Sequence, residues 1–299
     1  MHSLSSVLDN VKPAPLAAVA AFVMGHLALK AWFFSLHYYT AIARPLEYAT
    51  GGLITPVSLA AAIEMVVLVG GIAFLVGGLR WRDVGLGSAG LVNACLVLLL
   101  LWGTVHMIIA AHSLSACCSL DLGPVVVTST PIAAGRVLDA FWGSGFIEEV
   151  MYRGFLLPQI YLLARRFGVS ASKALVIALV GTQLYFGLNH IPAAMRMPMS
   201  FGAAAIYIAH ASMVGGIFAA LYLRTGNLYV AIGAHALINN PVAIYVAGID
   251  PSLIVLIGVC VLLLAWPVLH RMADEVFTLA GVEPRSAASP RLAPTSGDS

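Results

Sequence analysis

Six side chains that can carry charge or form strong hydrogen bonds lie within otherwise apolar stretches of this chain. They are Glu148, Glu149, Arg153, His190, His235 and Asn239. An ionisable group at membrane depth is costly, and it is kept mostly where it lines a cavity, finds a partner or serves a function. Two carboxylates, a guanidinium, two imidazoles and a carboxamide can together activate a water molecule and stabilise an oxyanion. The sequence therefore predicts a polar, reactive site inside a membrane.

The two carboxylates and the guanidinium have the spacing of side chains on one helix. Glu149 and Arg153 are four residues apart, so a helix brings them together and allows an ion pair. Glu148 lies about 100° from Glu149 around the helix axis. One carboxylate can thus be held by Arg153 while the other is free to act as a general base. Alternatively, Glu149 and Arg153 have no role in catalysis and form a structural ion pair that holds two helices together.

The second group of polar residues contains two histidines and an asparagine. His190 closes an apolar stretch, where a histidine considered alone is more often structural. His235 and Asn239 are four residues apart and reach the same side of one helix. Hydrogen-bond donors on one face can stabilise a developing oxyanion, which is often a large contribution to catalysis.

The composition places these residues in a membrane protein. Hydrophobic residues make up 61% of the 299 residues, charged residues only 9%, and the mean hydropathy is +0.95. A soluble domain carries about 25% charged residues. Three stretches contain at most one carboxylate or strong base each, and they are residues 56–79, 91–111 and 251–268. Runs of this length and polarity are typical of transmembrane helices. The net charge of +2 is too small to indicate a nucleic-acid partner.

The apolar pattern predicts an all-α fold, a polytopic transmembrane bundle of about eight helices with a polar intramembrane cavity. The expected spans are 15–36, 54–79, 91–111, 134–157, 173–190, 201–223, 227–246 and 251–268. Gly143, Gly145 and Pro158 are the expected break or kink points of the fourth span.

The chain divides into four regions by motif and composition. Residues 1–130 are N-terminal transmembrane helices without a recognised motif, and residues 131–250 form the core that carries the six polar residues. Residues 251–270 are the last transmembrane helix. Residues 271–299 are rich in Pro, Ser and Ala, which predicts a polar, disordered tail after a short interfacial helix.

The basic residues predict that both termini are cytoplasmic. Loops that would then face the cytoplasm contain Lys12, Arg80, Arg82, Arg165, Arg166, Lys173, Arg224, Arg271, Arg285 and Arg291. The loops on the other side contain only Arg44 and Arg196. This asymmetry follows the rule that cytoplasmic loops are enriched in Lys and Arg. The high Ala, Gly and Leu content indicates a bacterium, so we expect the bacterial inner membrane.

Three stretches resemble one known family, in the order in which that family has them. They are EEVMYRGFLLP, FGLNHIP and RTGNLYVAIGAHALINN. Each motif alone is weak, but together and within apolar helices they resemble the CPBP family, the CAAX-prenyl-protease-2 (Rce1-like) and bacteriocin-processing group of intramembrane proteases. The resemblance covers roughly residues 141–246.

The resemblance implies a role for each polar residue. Glu148 matches the family's catalytic glutamate, and His190 matches the partner with which it polarises water. His235 and Asn239 match the pair that stabilises the oxyanion. Glu149 and Arg153 match supporting positions. The implied activity is that of a glutamic-type intramembrane endopeptidase acting on a membrane-anchored protein or peptide, near its C-terminal tail.

Two mechanisms are compatible with these residues. In the first, Glu148 and His190 activate water without a metal or other cofactor. In the second, His190, His235 and a glutamate hold Zn²⁺, whose bound water attacks the peptide. The chain has no HExxH motif, and asparagine is a poor zinc ligand, so we favour the metal-free route. A transporter and a bacteriocin self-immunity factor are the non-proteolytic alternatives.

Further polar residues lie in the predicted spans. Glu64 is expected to form a structural contact, and its candidate partners are His26, Lys30, His106, His210 and Arg136. Gln183 and Tyr185 are expected to line the cavity or to bond between helices.

The predicted topology also places the site by depth. Glu148 lies about 25 Å along a helix from Arg165, which predicts a site in the outer half of the membrane. That depth suits an exported substrate and argues against a prenylated cytosolic tail.

Overall fold

The computed structural model describes residues 6–117, 120–246 and 248–279, and within these ranges it contains helices and no β-strand. Eight helices form the bundle. They are α1 (Leu16–Phe33), α2 (Pro56–Val76), α3 (Leu91–Cys117), α4 (residues 130–166), α5 (Ala171–Leu188), α6 (Phe201–Thr225), α7 (Leu228–Asn239) and α8 (Pro251–Leu279). Short helical turns connect them at Ser6–Asp9, Tyr38–Ala43, Arg44–Ala49, Trp81–Val84, Ser88–Gly90, Pro124–Val127 and Ile191–Arg196. The expected all-α polytopic bundle is confirmed.

Six segments within the described ranges are long and apolar enough to cross a membrane. They are Leu16–Phe33, Pro56–Val76, Leu91–Ala116, Ala171–Arg196, Phe201–Thr225 and Pro251–Leu269. The two other predicted spans differ from a simple transmembrane helix. The predicted span 227–246 is the 12-residue helix α7, after which the chain is not helical. The predicted span 134–157 is part of the longer and irregular helix α4.

Helix α4 alternates between α-helical and π-helical turns. Its successive parts are Thr130–Leu138 (α), Asp139–Phe146 (π), Ile147–Glu149 (α), Val150–Leu156 (π) and Leu157–Arg166 (α). Gly143 and Gly145 lie within the first π-helical part, and Pro158 follows the second π-helical part, where the helix returns to α-helical turns. The widened turns therefore replace the breaks expected at these residues. π-helical turns are rare and occur often at functional sites.

Close packing of α4 against α7 depends on Gly145. A Cβ atom at this position would lie 2.9 Å from the carbonyl oxygen of Ile232 and 3.1 Å from Cβ of Ala236. Only a glycine therefore allows the two backbones to approach this closely, as small residues do between membrane helices. This contact brings the polar residues of α4 next to those of α7.

The loops segregate to two sides of the bundle. On one side, Lys12 Nζ donates to the carbonyl of Gly78 at 2.6 Å, and Gln159 Nε2 donates to the carbonyl of Lys12 at 3.0 Å. On the other side, the guanidinium of Arg196 donates to the carbonyl of Phe34. Arg165 and Arg166 also lie on the side of Lys12, since they line a pocket together with Pro13.

The C-terminal helix extends further than the predicted last span. Helix α8 continues through Pro267 to Leu279, so residues 271–279 of the expected tail are helical. Residues 280–299 lie outside the described part of the chain.

Candidate active site

A fully buried carboxylate organises the polar residues of the core. Glu149 is 0% exposed, and its Oε1 accepts hydrogen bonds from Arg153 Nη1 at 2.9 Å and from His235 Nδ1 at 2.8 Å. The expected ion pair between Glu149 and Arg153 is confirmed, and it is joined by a histidine from α7. Because a carboxylate only accepts, Nδ1 of His235 carries a proton.

Arg153 connects this carboxylate to two further helices. Its Nη2 donates to Gln183 Oε1 of α5 at 3.0 Å and to the carbonyl of Gly215 of α6 at 2.6 Å. The guanidinium also lies 4.7 Å from the ring centre of Phe186 and is fully buried. A planar guanidinium with several fixed donors can hold partners in three directions at once, which a lysine cannot. Arg153 therefore fixes the mutual positions of α4, α5 and α6.

His235 lies between the two glutamates. Its ring stacks on Phe218 with centres 4.4 Å apart and planes inclined by 18°. Nδ1 is held by Glu149, and Nε2 lies 3.8 Å from Oε2 of Glu148. A hydrogen bond that one ring nitrogen donates to a carboxylate fixes the tautomer and the ring orientation. Nε2 is thus the nitrogen of His235 that is available to a ligand.

Glu148 is held much less tightly than its neighbour. Its side chain is 17% exposed, against 0% for Glu149, and it forms no hydrogen bond with any residue that the structure describes. Lys30 and Glu64 are within electrostatic range of Glu148. The two adjacent carboxylates therefore differ as the spacing predicted, one fixed by a guanidinium and one free.

Asn239 lies one helical turn beyond His235. Its Nδ2 donates to Ser144 Oγ of α4 at 2.8 Å, and Ser144 Oγ lies 3.2 Å from the carbonyl oxygen of Asp139. The Asn239 side chain is exposed at the end of α7. The first π-helical part of α4 thus orients the carboxamide. Ser144 was not predicted to be near the site, because a serine in an apolar helix gives no distinctive signal.

The segment after α7 is held in place by α3. Trp102 Nε1 donates to the carbonyl of Pro241 at 3.2 Å, and His106 Nε2 lies 3.2 Å from both the carbonyl oxygen of Val242 and the backbone nitrogen of Ile244. His106 is thus engaged here and is not a partner of Glu64. These contacts fix the chain just beyond Asn239.

His190 stands apart from the glutamates. Its Nδ1 donates to the carbonyl of Phe186 at 2.9 Å, which leaves Nε2 unprotonated in the neutral ring. No hydrogen bond or ion pair joins it to Glu148 within the described ranges. Its ring centre lies 4.9 Å from that of Phe186, whose ring is also 6.3 Å from that of His235. Phe186 is therefore a neighbour of both histidine rings.

A second polar cluster comes from the N-terminal helices, where no motif was recognised. Glu64 is 2% exposed, and its Oε1 lies 3.4 Å from Lys30 Nζ and 3.7 Å from His26 Nε2. His26 Nδ1 and the hydroxyl of Tyr185 are hydrogen-bonded at 2.8 Å. Glu64 thus forms the expected structural contact, with two of its candidate partners. Charged residues within apolar spans predicted that such a cluster exists. Nothing in the sequence indicated that the cluster lies next to the candidate site.

The described residues contain no group of three or more His, Cys, Asp or Glu side chains arranged to hold a metal ion. Three such side chains are adjacent, namely Glu148, Glu149 and His235. However, Glu149 and Nδ1 of His235 are hydrogen-bonded to each other. His190 has no direct contact with this group. The donor set of the zinc alternative is therefore not assembled in this conformation.

A helical bundle with buried glutamates, histidines and an arginine at its centre defines a polytopic membrane protein with a candidate hydrolytic site. Residues 130–240 match the family model described as type II CAAX prenyl endopeptidase Rce1-like. This segment contains all six predicted site residues, and the match confirms the resemblance to the CPBP (Rce1-like) intramembrane proteases. Six apolar helices support an integral membrane protein, and residues 130–240 are similar to an intramembrane protease family, whose members act on a peptide or protein substrate. Neither a curated protein nor a solved structure matches the chain.

Proposed function

We propose that the protein is a glutamic-type intramembrane endopeptidase that cleaves a membrane-anchored protein or peptide near its C-terminal tail. The observation that carries the proposal is the difference between the two adjacent glutamates. Glu149 is buried and bonded to Arg153 and His235, whereas Glu148 is partly exposed and free of hydrogen bonds to the described residues. A free carboxylate beside a fixed one is the arrangement that general base catalysis by Glu148 requires.

In the proposed reaction, a water molecule bound at Glu148 attacks the carbonyl carbon of the scissile peptide bond. Glu148 takes one proton from the water as the carbon–oxygen bond forms, and the carbonyl oxygen becomes an oxyanion. Collapse of this intermediate breaks the carbon–nitrogen bond, and Glu148 returns the proton to the leaving amine. The unprotonated Nε2 of His190 would accept a hydrogen bond from the water and orient it.

His235 and Asn239 would stabilise the oxyanion. The carboxamide of Asn239 has two N–H groups. Ser144 Oγ accepts a hydrogen bond from one of them, and the other is available to the oxyanion. His235 donates through Nε2 when its ring carries two protons, and Glu149 then balances the charge through Nδ1. Preorganised donors of this kind are worth about 10²–10³ in kcat each.

The zinc-dependent mechanism remains the second candidate for the chemistry. His190, His235 and Glu148 would be the ligands, and the metal would lower the pKa of a bound water. His190 would have to approach the other two residues, because its present contacts are to Phe186 and Tyr207. In the metal-free route a water molecule bridges His190 and Glu148, so the two side chains need not come into direct contact, and we therefore prefer it.

We further propose that the protein lies in a bacterial inner membrane with both termini in the cytoplasm. Lys30 lies close to the end of α1, and His190 follows the end of α5, on the side of the bundle opposite Lys12. In this orientation the site is in the outer half of the membrane. An exported substrate with a membrane anchor would then be the natural one.

The decisive experiment is cleavage of a reporter with one C-terminal membrane anchor by the purified protein in lipid vesicles. Glu148→Gln should lower kcat by about 10²–10⁴, the usual contribution of a general base. Glu47→Gln, which changes a partly exposed carboxylate paired with Arg44 and far from the site in sequence, is the matched control and should leave kcat unchanged.

Metal dependence is tested on the wild-type protein in the same assay. Cleavage that persists with a zinc chelator would support activation of water by Glu148. Loss with the chelator and recovery with Zn²⁺ would move the chemistry to the metalloprotease mechanism. Unchanged cleavage by a folded Glu148→Gln protein would remove this residue from the reaction, and a failure of all variants to cleave any anchored reporter would favour a transporter or an immunity factor.

A further inference from the structure

A long groove lies between α5, α6 and α8, on the outside of the bundle. It has a volume of about 810 Å³. Its apolar lining includes Leu179, Leu184, Met213, Ala220, Leu263 and Leu264. The lining residues of α6 run from Ala209 to Arg224, which corresponds to about 22 Å of helix. This exceeds the ~15 Å thickness of one leaflet of hydrocarbon.

The groove ends at a cationic side chain. Arg224 lines one end of it, in the last turn of α6, and its Nε is buried without a hydrogen-bond partner among the described residues. A buried donor without a partner is costly, which points to a ligand that supplies an acceptor. Guanidinium groups match the geometry of phosphate oxygens particularly well.

We propose that the groove is a binding site for an anionic phospholipid. The phosphate lies at Arg224, where the end of α6 reaches the membrane interface, and one acyl chain follows the apolar groove towards Ala209. The groove is apolar, is longer than one leaflet and has a cation at one end. It therefore matches a lipid with an anionic headgroup and a long acyl chain. A free phosphate would leave the groove unfilled, and a wholly apolar chain would leave Arg224 without an acceptor.

The groove also reaches the residues that hold the candidate site. Gln183 lines it, and the Oε1 of the same side chain accepts a hydrogen bond from Arg153 Nη2. Arg153 in turn donates to Glu149. A lipid acyl chain in the groove therefore packs against a side chain that is only two hydrogen bonds from Glu149, although the lipid site is separate from the polar site.

The test uses phosphatidylglycerol with a photoactivatable acyl chain, titrated into phosphatidylcholine vesicles that contain the purified full-length protein. Covalent labelling is mapped by mass spectrometry. We expect labels on the groove-lining parts of α5, α6 and α8. Arg224→Gln should raise the half-saturating fraction of phosphatidylglycerol about tenfold, the loss expected from one charge-assisted hydrogen bond. Arg165→Gln, an exposed arginine bonded only to the carbonyl of Val169, should not change it.

Two glycines of α6 give a matched pair for the acyl chain. A Cβ at Gly216, which lines the groove, would have only Gln183 Cγ within 4 Å, at 3.9 Å, so Gly216→Leu should fit into the groove and abolish labelling there. Gly202 has no neighbour within 4 Å of such a Cβ and is outside the groove, so Gly202→Leu should keep the labelling.

Four results would overturn the proposal, the last of them obtained with a neutral lipid. One is equal labelling of the Gly216→Leu and Gly202→Leu proteins, and another is an Arg224→Gln titration that matches the wild type. The third is a Gly216→Leu protein that binds the lipid normally but has a raised KM for the anchored reporter, which would make the groove a substrate site. Diacylglycerol with the same photoactivatable chain should label weakly, and labelling as strong as that of phosphatidylglycerol would exclude a role for the phosphate.

Discussion

Lys30 Nζ and Glu64 Oε1 lie 3.4 Å apart, and this ion pair joins α1 to α2. Glu64 is almost fully buried, whereas the side chain of Lys30 retains 22% of its exposure. Both residues are within electrostatic range of Glu148. The N-terminal helices therefore contribute charge to the surroundings of the candidate site, although the family match begins only at residue 130.

Removal of Lys30 should destabilise the fold. Lys30→Met would leave the buried carboxylate of Glu64 with His26 as its remaining close partner, at 3.7 Å. An uncompensated buried charge of this kind lowers the free energy of unfolding by about 3–5 kcal/mol. Because Lys30 is partly exposed, we expect a smaller loss of about 2 kcal/mol. Unfolding in mixed micelles measures the change. The double variant Lys30→Met, Glu64→Leu should recover most of the stability, and a double variant less stable than Lys30→Met would contradict this account.

Gly215 is predicted to be essential for the position of Arg153. A Cβ at Gly215 would lie 2.8 Å from both Arg153 Nη2 and Gln183 Oε1, so Gly215→Ala must displace the guanidinium. We expect a loss of at least tenfold in kcat/KM, because the displacement disturbs the partner of Glu149. Gly216→Ala is the matched control, since its nearest contact would be 3.9 Å away, and it should retain activity. Equal activity of the two alanine variants would show that Arg153 does not need its present position.

Local spacing predicted the parts of the site that lie within one helix. Glu149 with Arg153 and His235 with Asn239 are each four residues apart, and the structure places each pair on one side of its helix. Helix geometry alone determines such relationships. The same argument gave the different environments of Glu148 and Glu149.

The parts of the site that depend on packing between apolar helices could not be read from the sequence. Hydropathy shows that a segment spans the membrane, but it does not give the rotation of the helix or its neighbours. Gln183 was expected to line the cavity or to bond between helices, and it does bond between helices, but the sequence did not indicate Arg153 as its partner. The bond from Asn239 to Ser144 was not predicted at all. The π-helical turns of α4 were also not predicted, because their hydrogen-bond pattern depends on packing against α2 and α7 as much as on local propensity.

Asn239 and Ser144 are predicted to have unequal effects on catalysis. Asn239→Ala removes a proposed oxyanion donor and should lower kcat by about 10²–10³, with little change in KM. Ser144→Ala removes only the group that orients the carboxamide, so the loss should be at most about tenfold. Steady-state kinetics on the anchored reporter measures both. A larger loss with Ser144→Ala than with Asn239→Ala would assign the chemistry to the serine.

The orientation of the bundle is predicted to place Arg44 outside the cell and Arg165 inside. The two residues belong to loops on opposite sides, since Arg44 lies between α1 and α2 whereas Arg165 is in the last turn of α4. In a protein whose native cysteines are replaced by alanine, Arg44→Cys should react with an impermeant maleimide added to intact spheroplasts, and Arg165→Cys should react only after the membrane is opened. The opposite pattern would put Glu148 in the cytoplasmic half of the membrane. An exported substrate would then be replaced by one whose tail lies in the cytoplasm, while the proposed roles of the glutamates and histidines would be unaffected, because they depend only on contacts within the bundle.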